Sequence, residues 1–289
     1  MTGSEERPDS VREGEAAGGD GPPVDVRNLE KSFYETGRGE VRAVQGVTFE
    51  CRRGEVFGLL GANGAGKTTT LRMLSTVLSP SGGEARVMGH SIRDEPQEVR
   101  RRLGFHSAST GLYPKLTARE TLEFFARLGG VSPQDLPARV EALIERFGIG
   151  PFANARVEKL SSGMKQKVAL ARTVAHDPPV AIFDEPTVGL DVLSALSLLD
   201  VVRELRDEGK AIVFSTHIMS EAEKLCDRIG ILHGGRLLAV DTLDGLRETT
   251  GDHYLEDIFV RFVSDGEQAT REALERRERR ELEAAQEQG

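Results

Sequence analysis

Glu55-Val56-Phe57-Gly58-Leu59-Leu60 runs directly into Gly61-Ala62-Asn63-Gly64-Ala65-Gly66-Lys67-Thr68, and this junction decides the fold. A short apolar strand is followed by a glycine-rich turn in the pattern G-x-x-x-x-G-K-S/T, with helix-forming sequence beyond it. The glycines let successive backbone N–H groups wrap a phosphate, Lys67 supplies a compact positive charge, and the Thr68 hydroxyl is placed to ligate Mg²⁺. A helix expected over about 67–78, with Thr69 in its first turn, aims its positive end at the same anion.

Working outward, Val180 to Asp184 and Ala211 to His217 are apolar runs ending in polar groups, with a helix-length segment between them. Strand, helix, strand predicts a parallel sheet, whose carboxyl edge is where such folds bind ligands. Asp184 and Glu185 stand at that edge. Asp184 can hold Mg²⁺ directly or through water, and Glu185, one residue further out, can polarise a water for in-line attack on a γ-phosphate. Pro186 would also suit a simple helix start, so the pair gains its meaning from the phosphate loop. Before the loop, Val24 to about Gly89 holds short β-branched stretches broken by glycine, as in twisted β structure. From about 107 to 165 the character is helical: Thr117-Ala-Arg-Glu120 has capping-box spacing, and Leu122, Phe125 and Ala126 share a face.

The bulk numbers exclude several functions. A net charge of −9 over 289 residues argues against nucleic-acid binding. No apolar run approaches the roughly 20 residues that span a bilayer. The amino-terminal stretch is acidic and rich in Gly and Pro, unlike a secretory signal, so a cytoplasmic location is expected. Cys51 and Cys226 are far apart and in no metal-binding spacing, which favours small buried thiols. Residues 1–23 lack the hydrophobicity to order themselves and read as a disordered leader; 24–240 form the ATPase domain, and 241–289 an extension ending in a charged helix or tail.

Leu160-Ser161-Ser162-Gly163-Met164, followed by Lys-Gln-Lys-Val-Ala-Leu-Ala-Arg172, makes the reading specific. It resembles the signature sequence of the ABC ATPases, usually Leu-Ser-Gly-Gly-Gln, and lies where that family has it, shortly before the Asp-Glu strand. Ser161 and Gly163 would open a helix whose stripe of Met164, Val168, Ala171 and Ala175 packs inward, leaving an anion-binding end. The resemblance covers about 24–263 and implies an ABC fold: a P-loop α/β core with a parallel sheet, an antiparallel β subdomain and a helical insert. It implies ATP and Mg²⁺ as cofactors, and a homodimer in which the signature caps ATP held by the opposite subunit. It also implies a separate membrane permease as partner, reached from the inner face of the membrane. Gly189-Leu190-Asp191 resembles the loop that crosses the dimer interface, His217 the switch histidine that orients γ-phosphate and water, and Phe33 the aromatic that stacks on adenine, with Tyr34 as its competitor.

One departure stands out. Aligning Leu103-Gly-Phe-His-Ser-Ala108-Ser-Thr-Gly-Leu-Tyr113 puts Ala108 where the family carries a Gln, so the usual Mg²⁺ and water contact is missing and Ser107 or Ser109 offers a weaker hydroxyl. That loop, with the residues after the signature, resembles the sodium-extrusion, NatA-like branch of bacterial ABC exporters. The expected function is an ATP-hydrolysing subunit powering efflux, of sodium ion or drug. The alternative is an ABC ATPase working on a non-membrane machine, and a nucleotide-binding scaffold without turnover is disfavoured by Lys67, Asp184, Glu185 and His217 all standing in place.

Overall fold

In the computed structural model the described residues are 21–37, 39–107, 111–266 and 268. Most of the expected leader, Ala108 and Ser109, and the charged tail from Arg271 lie outside them. The strands in chain order are β1 (Val24–Glu35), β2 (Gly39–Cys51), β3 (Val56–Leu60), β4 (Gly82–Val87), β5 (His90–Ser91), β6 (Leu103–Ser107), β7 (Val180–Asp184), β8 (Ala211–Thr216), β9 (Arg228–His233) and β10 (Arg236–Asp241). The helices are α1 (Lys67–Leu74), α2 (Pro96–Arg102), α3 (Ala118–Leu128), α4 (Leu136–Arg146), α5 (Ser162–Thr173), α6 (Val192–Asp207), α7 (Met219–Leu225) and α8 (Leu243–Thr250), followed by a helical run over 255–266.

The strands form two sheets. The larger has the order β10-β9-β3-β8-β7-β6, and all its pairings are parallel except β10 with β9. Every residue of β3, β7 and β8 is buried, as expected of parallel strands covered on both faces, and this is why they read as unbroken apolar runs. The smaller sheet, β2-β1-β4-β5, is antiparallel. The parallel core and antiparallel subdomain implied by the resemblance are therefore present, and helices α3 to α5 lie between β6 and β7.

Those helices share one apolar cluster with the sheet, in which Leu122 and Ala126 of α3, Val140 of α4 and Val168 of α5 pack with Phe183 and Phe214. The capping box at α3 is complete. Thr117 Oγ1 accepts from the Glu120 N–H at 3.1 Å and Glu120 Oε2 accepts from the Thr117 N–H at 2.7 Å. At the carboxyl side, Leu246, Leu255 and Ile258 cover Leu60, Ile229 and Ile231, so the segment beyond β10 helps to bury the strand that leads into the phosphate loop.

Two expectations are corrected. The helix after the loop stops at Leu74 and not near Leu78, because Thr76 adopts a left-handed φ of 60°, which no α-helix can continue. In α5, Val168, Ala171 and Ala175 are buried as expected, but Met164 is 37% exposed: it sits in the first turn, beyond the reach of the sheet that covers the later turns.

Candidate functional site

The register of the parallel sheet assembles the site. Leu60 of β3 lies beside Thr216 of β8, and Ser215 of β8 lies beside Asp184 of β7. Three loops therefore leave the sheet at one level: the glycine-rich turn, Glu185-Pro186, and His217. The turn needs its glycines for space as well as for torsion. A Cβ at Gly61 would sit 2.4 Å from the Leu232 carbonyl oxygen, and one at Gly66, whose φ is 109°, would sit 2.6 Å from that of Ala43.

Lys67 opens α1 and is only 4% exposed. Its Nζ donates to the Gly61 and Ala62 carbonyls at 2.7 and 3.1 Å and lies 3.0 Å from Glu185 Oε1. A buried ammonium without such partners would be costly, so carbonyls and carboxylate together make its position tenable. Thr68 Oγ1 donates to Asp184 Oδ1 at 3.1 Å. The same oxygen accepts from Ser215 Oγ at 2.8 Å, and Ser215 Oγ in turn accepts from the Glu185 N–H at 3.1 Å. Glu185 has a left-handed φ of 47°, which turns its side chain out of strand direction toward both Lys67 and His217, whose Nδ1 lies 3.3 Å from Glu185 Oε2.

A cleft of about 220 Å³ lies over the turn, walled by Ala43, Asn63, Lys67, Thr68, Thr69 and Glu185, with Gly64 and Gly66 at its edge. An oxyanion entering it meets the N-terminus of α1 and a fixed cation, while a hydroxyl and a carboxylate wait alongside. That hydroxyl–carboxylate pair, Thr68 with Asp184, is a hard-oxygen donor set of the kind Mg²⁺ takes when phosphates and waters complete its shell.

The remaining expected residues stand elsewhere. Phe33 and Tyr34 are both exposed on β1, outside this cleft, and Lys31 Nζ lies 5.1 Å over the Phe33 ring. Ser161 caps α5, accepting from the Met164 N–H at 3.3 Å. Gly163 lines a different cleft of about 360 Å³ between α5 and α6. Asp191 caps α6, accepting from the Leu193 and Ser194 N–H groups, both at 3.1 Å; the Ser194 hydroxyl beside it holds its carboxyl below the usual range. Among the described residues, then, Ser161 and Gly163 take no part in lining the cleft over the phosphate loop.

Three residues escaped the sequence reading. Ser215, which links Asp184 to the Glu185 backbone, could have been found as the last hydroxyl facing β7 before His217. Gln166 of α5 donates from Nε2 to the Pro186 carbonyl at 2.7 Å and lies 3.2 Å from His106 Nε2. Neither Gln166 nor His106 carries a local signal, because their contact joins segments 60 residues apart.

Comparison with known proteins agrees with this geometry. The family described as "ABC transporter" matches residues 44–188. The ABC transporter ATP-binding protein NatA of Bacillus subtilis is 43% identical over 76% of this chain and 90% of its own length. The daunorubicin/doxorubicin resistance ATP-binding protein DrrA of Streptomyces peucetius is 38% identical over 74% of this chain and 65% of its own length. Among solved structures, an ATP-binding subunit of an ABC transporter superposes with a TM-score of 0.75 at 33% identity, covering 83% of this chain and 99% of the other. A dimeric ATP-binding cassette in a post-hydrolysis state, bound to ADP and Pi, superposes with a TM-score of 0.70 at 27% identity, covering 76% and 98%.

Proposed function

The chain belongs to the ABC transporter family and is an ATPase of that family, and from this premise we propose that it powers export through a separate membrane permease, working as a homodimer that sandwiches ATP. The observation carrying this reading is the meeting of Lys67, Thr68, Asp184, Glu185 and His217 at one sheet edge.

In the proposed cycle the backbone N–H groups from Gly61 to Thr69 and the Lys67 ammonium bind the β- and γ-phosphates. Thr68 and Asp184 would hold Mg²⁺, which would supply neutralisation of the phosphate charge. With phosphate bound to Lys67, Glu185 is released to accept a proton from the attacking water, and His217, already against Glu185, orients that water and the γ-phosphate. Phe33 stacks on adenine. Ser161 and Gly163 of the second copy cap the γ-phosphate from the positive end of α5, while Asp191 lies at the subunit boundary.

No helix among the described residues is long and apolar enough to cross a membrane, so a transport role calls for a partner. A groove of about 590 Å³ between β6 and α3, lined by exposed Val77 and Leu128 with Phe105 and Phe125, is the proposed dock for the permease, through which the protein would sit at the inner face of the membrane. The exposed Tyr113, stacked on Phe125, extends that apolar surface. On the resemblance to the sodium-extrusion branch and the likeness to a drug-resistance protein, the cargo is a sodium ion or a drug.

The test is ATPase rate against protein concentration, paired with size-exclusion of Glu185→Gln with and without ATP. A steeper than linear rate and an ATP-dependent dimer are expected. A persistent monomer with first-order behaviour would overturn the sandwich.

A further inference from the structure

We propose that Gln166 is a positioning residue for Glu185: by holding the Pro186 carbonyl it fixes the left-handed turn from which the Glu185 carboxylate reaches the cleft, and His106 fixes Gln166. The proposal rests on the reading of Glu185 as the group that activates water.

The backbone at Glu185 is strained. A φ of 47° in a residue other than glycine persists only where the surroundings over-determine it. On its amino side the Glu185 N–H is shared by the Ser215 carbonyl and hydroxyl, both at 3.1 Å. On its carboxyl side the fixing contact is Gln166 Nε2 to the Pro186 carbonyl, at 2.7 Å. One amide nitrogen carries two N–H donors. The second points at His106 Nε2, 3.2 Å away, so the His106 ring accepts there and carries its proton on Nδ1.

That tautomer leaves a cost in place. His106 is 1% exposed and its Nδ1 has no hydrogen-bond partner among the described residues. A buried, unsatisfied donor is destabilising. The same ring accepts from Gln166 at its other nitrogen, and that contact orients the amide. Burial, and then the nearby charge of Arg172, push His106 down to about 4, so the ring is neutral and able to accept throughout the neutral range. Gln166 thereby ties three segments together: the signature helix α5, the end of β6, and the turn after Asp184.

The test is a double-mutant cycle on the full-length chain with MgATP, using Gln166→Leu, Glu185→Gln and the pair. Gln166→Leu is expected to lower kcat at least tenfold while KM for ATP stays within twofold. In the Glu185→Gln background the same substitution is expected to cost nothing further, because there is no carboxylate left to aim. His106→Leu serves as a second variant should Gln166→Leu misfold. It is expected to lower kcat severalfold, again only when Glu185 is present, with a Tm no lower than the parent's, since it removes the orphaned Nδ1. Equal losses in both backgrounds, or a Gln166→Leu kcat within twofold of the parent, would overturn the proposal. A Glu185→Gln protein as fast as the parent would instead remove the assignment of Glu185, and this inference with it.

Discussion

Lys67 and Asp184 are both nearly buried and hydrogen-bonded to their neighbours, whereas Val192 and Leu193, next to Asp191, are 75% and 76% exposed. The phosphate-loop edge is finished by the chain alone: every charged group there has a partner from another strand or loop. The face formed by the starts of α5 and α6 is the reverse. Its caps, Ser161 and Asp191, satisfy their own helices, and around them stand apolar side chains that are exposed among the described residues. Parallel-sheet register builds the first region; the second is the face that the proposed homodimer would cover.

The difference can be broken or sharpened by experiment. The largest effect is expected from Glu185→Gln, which removes the proposed general base and should lower kcat by roughly 10²- to 10⁴-fold with ATP affinity retained, measured by steady-state kinetics and calorimetry. Next comes pH, acting on the buried side. His106 has a folded pKa near 4, below the usual value near 6.5, so the folded chain binds fewer protons; its contribution is complete above about 6.5 and lost as pH falls toward 4. Urea melts should therefore show the parent losing about 3 kcal/mol more than His106→Leu between pH 7 and 4. Lys67→Ala removes a charge-assisted contact and should weaken ATP binding by roughly 10- to 100-fold in the monomer, read by titration calorimetry. Ser161→Ala should give the smallest change: a few-fold loss of hydrolysis at concentrations where the dimer forms, with monomer affinity unchanged. A loss of monomer binding by Ser161→Ala would erase the contrast between the two regions.

What was legible in the sequence was local. The phosphate loop, the capping box at Thr117 and Glu120, and the buried β7–α6–β8 unit each depend on residues a few positions apart. The antiparallel pair was seen only as fragments. β1 and β2 run for 12 and 13 residues, but register shifts near Leu29 and Lys31 interrupt the alternation that a pattern search follows. The stop at Leu74 hinges on one left-handed residue, Thr76, whose identity does not announce it. Gln166 and His106 were missed for a further reason: their contact is a distance between segments, and nothing in the one-dimensional pattern encodes it.

The left-handed backbone at Glu185 has an evolutionary consequence. Glycine adopts that torsion without penalty, so Glu185→Gly would relieve strain of roughly 1 kcal/mol while deleting the carboxylate. On the proposed role of Glu185, a lineage selected for yield alone, with no demand on turnover, would drift toward glycine at this position at the expense of hydrolysis.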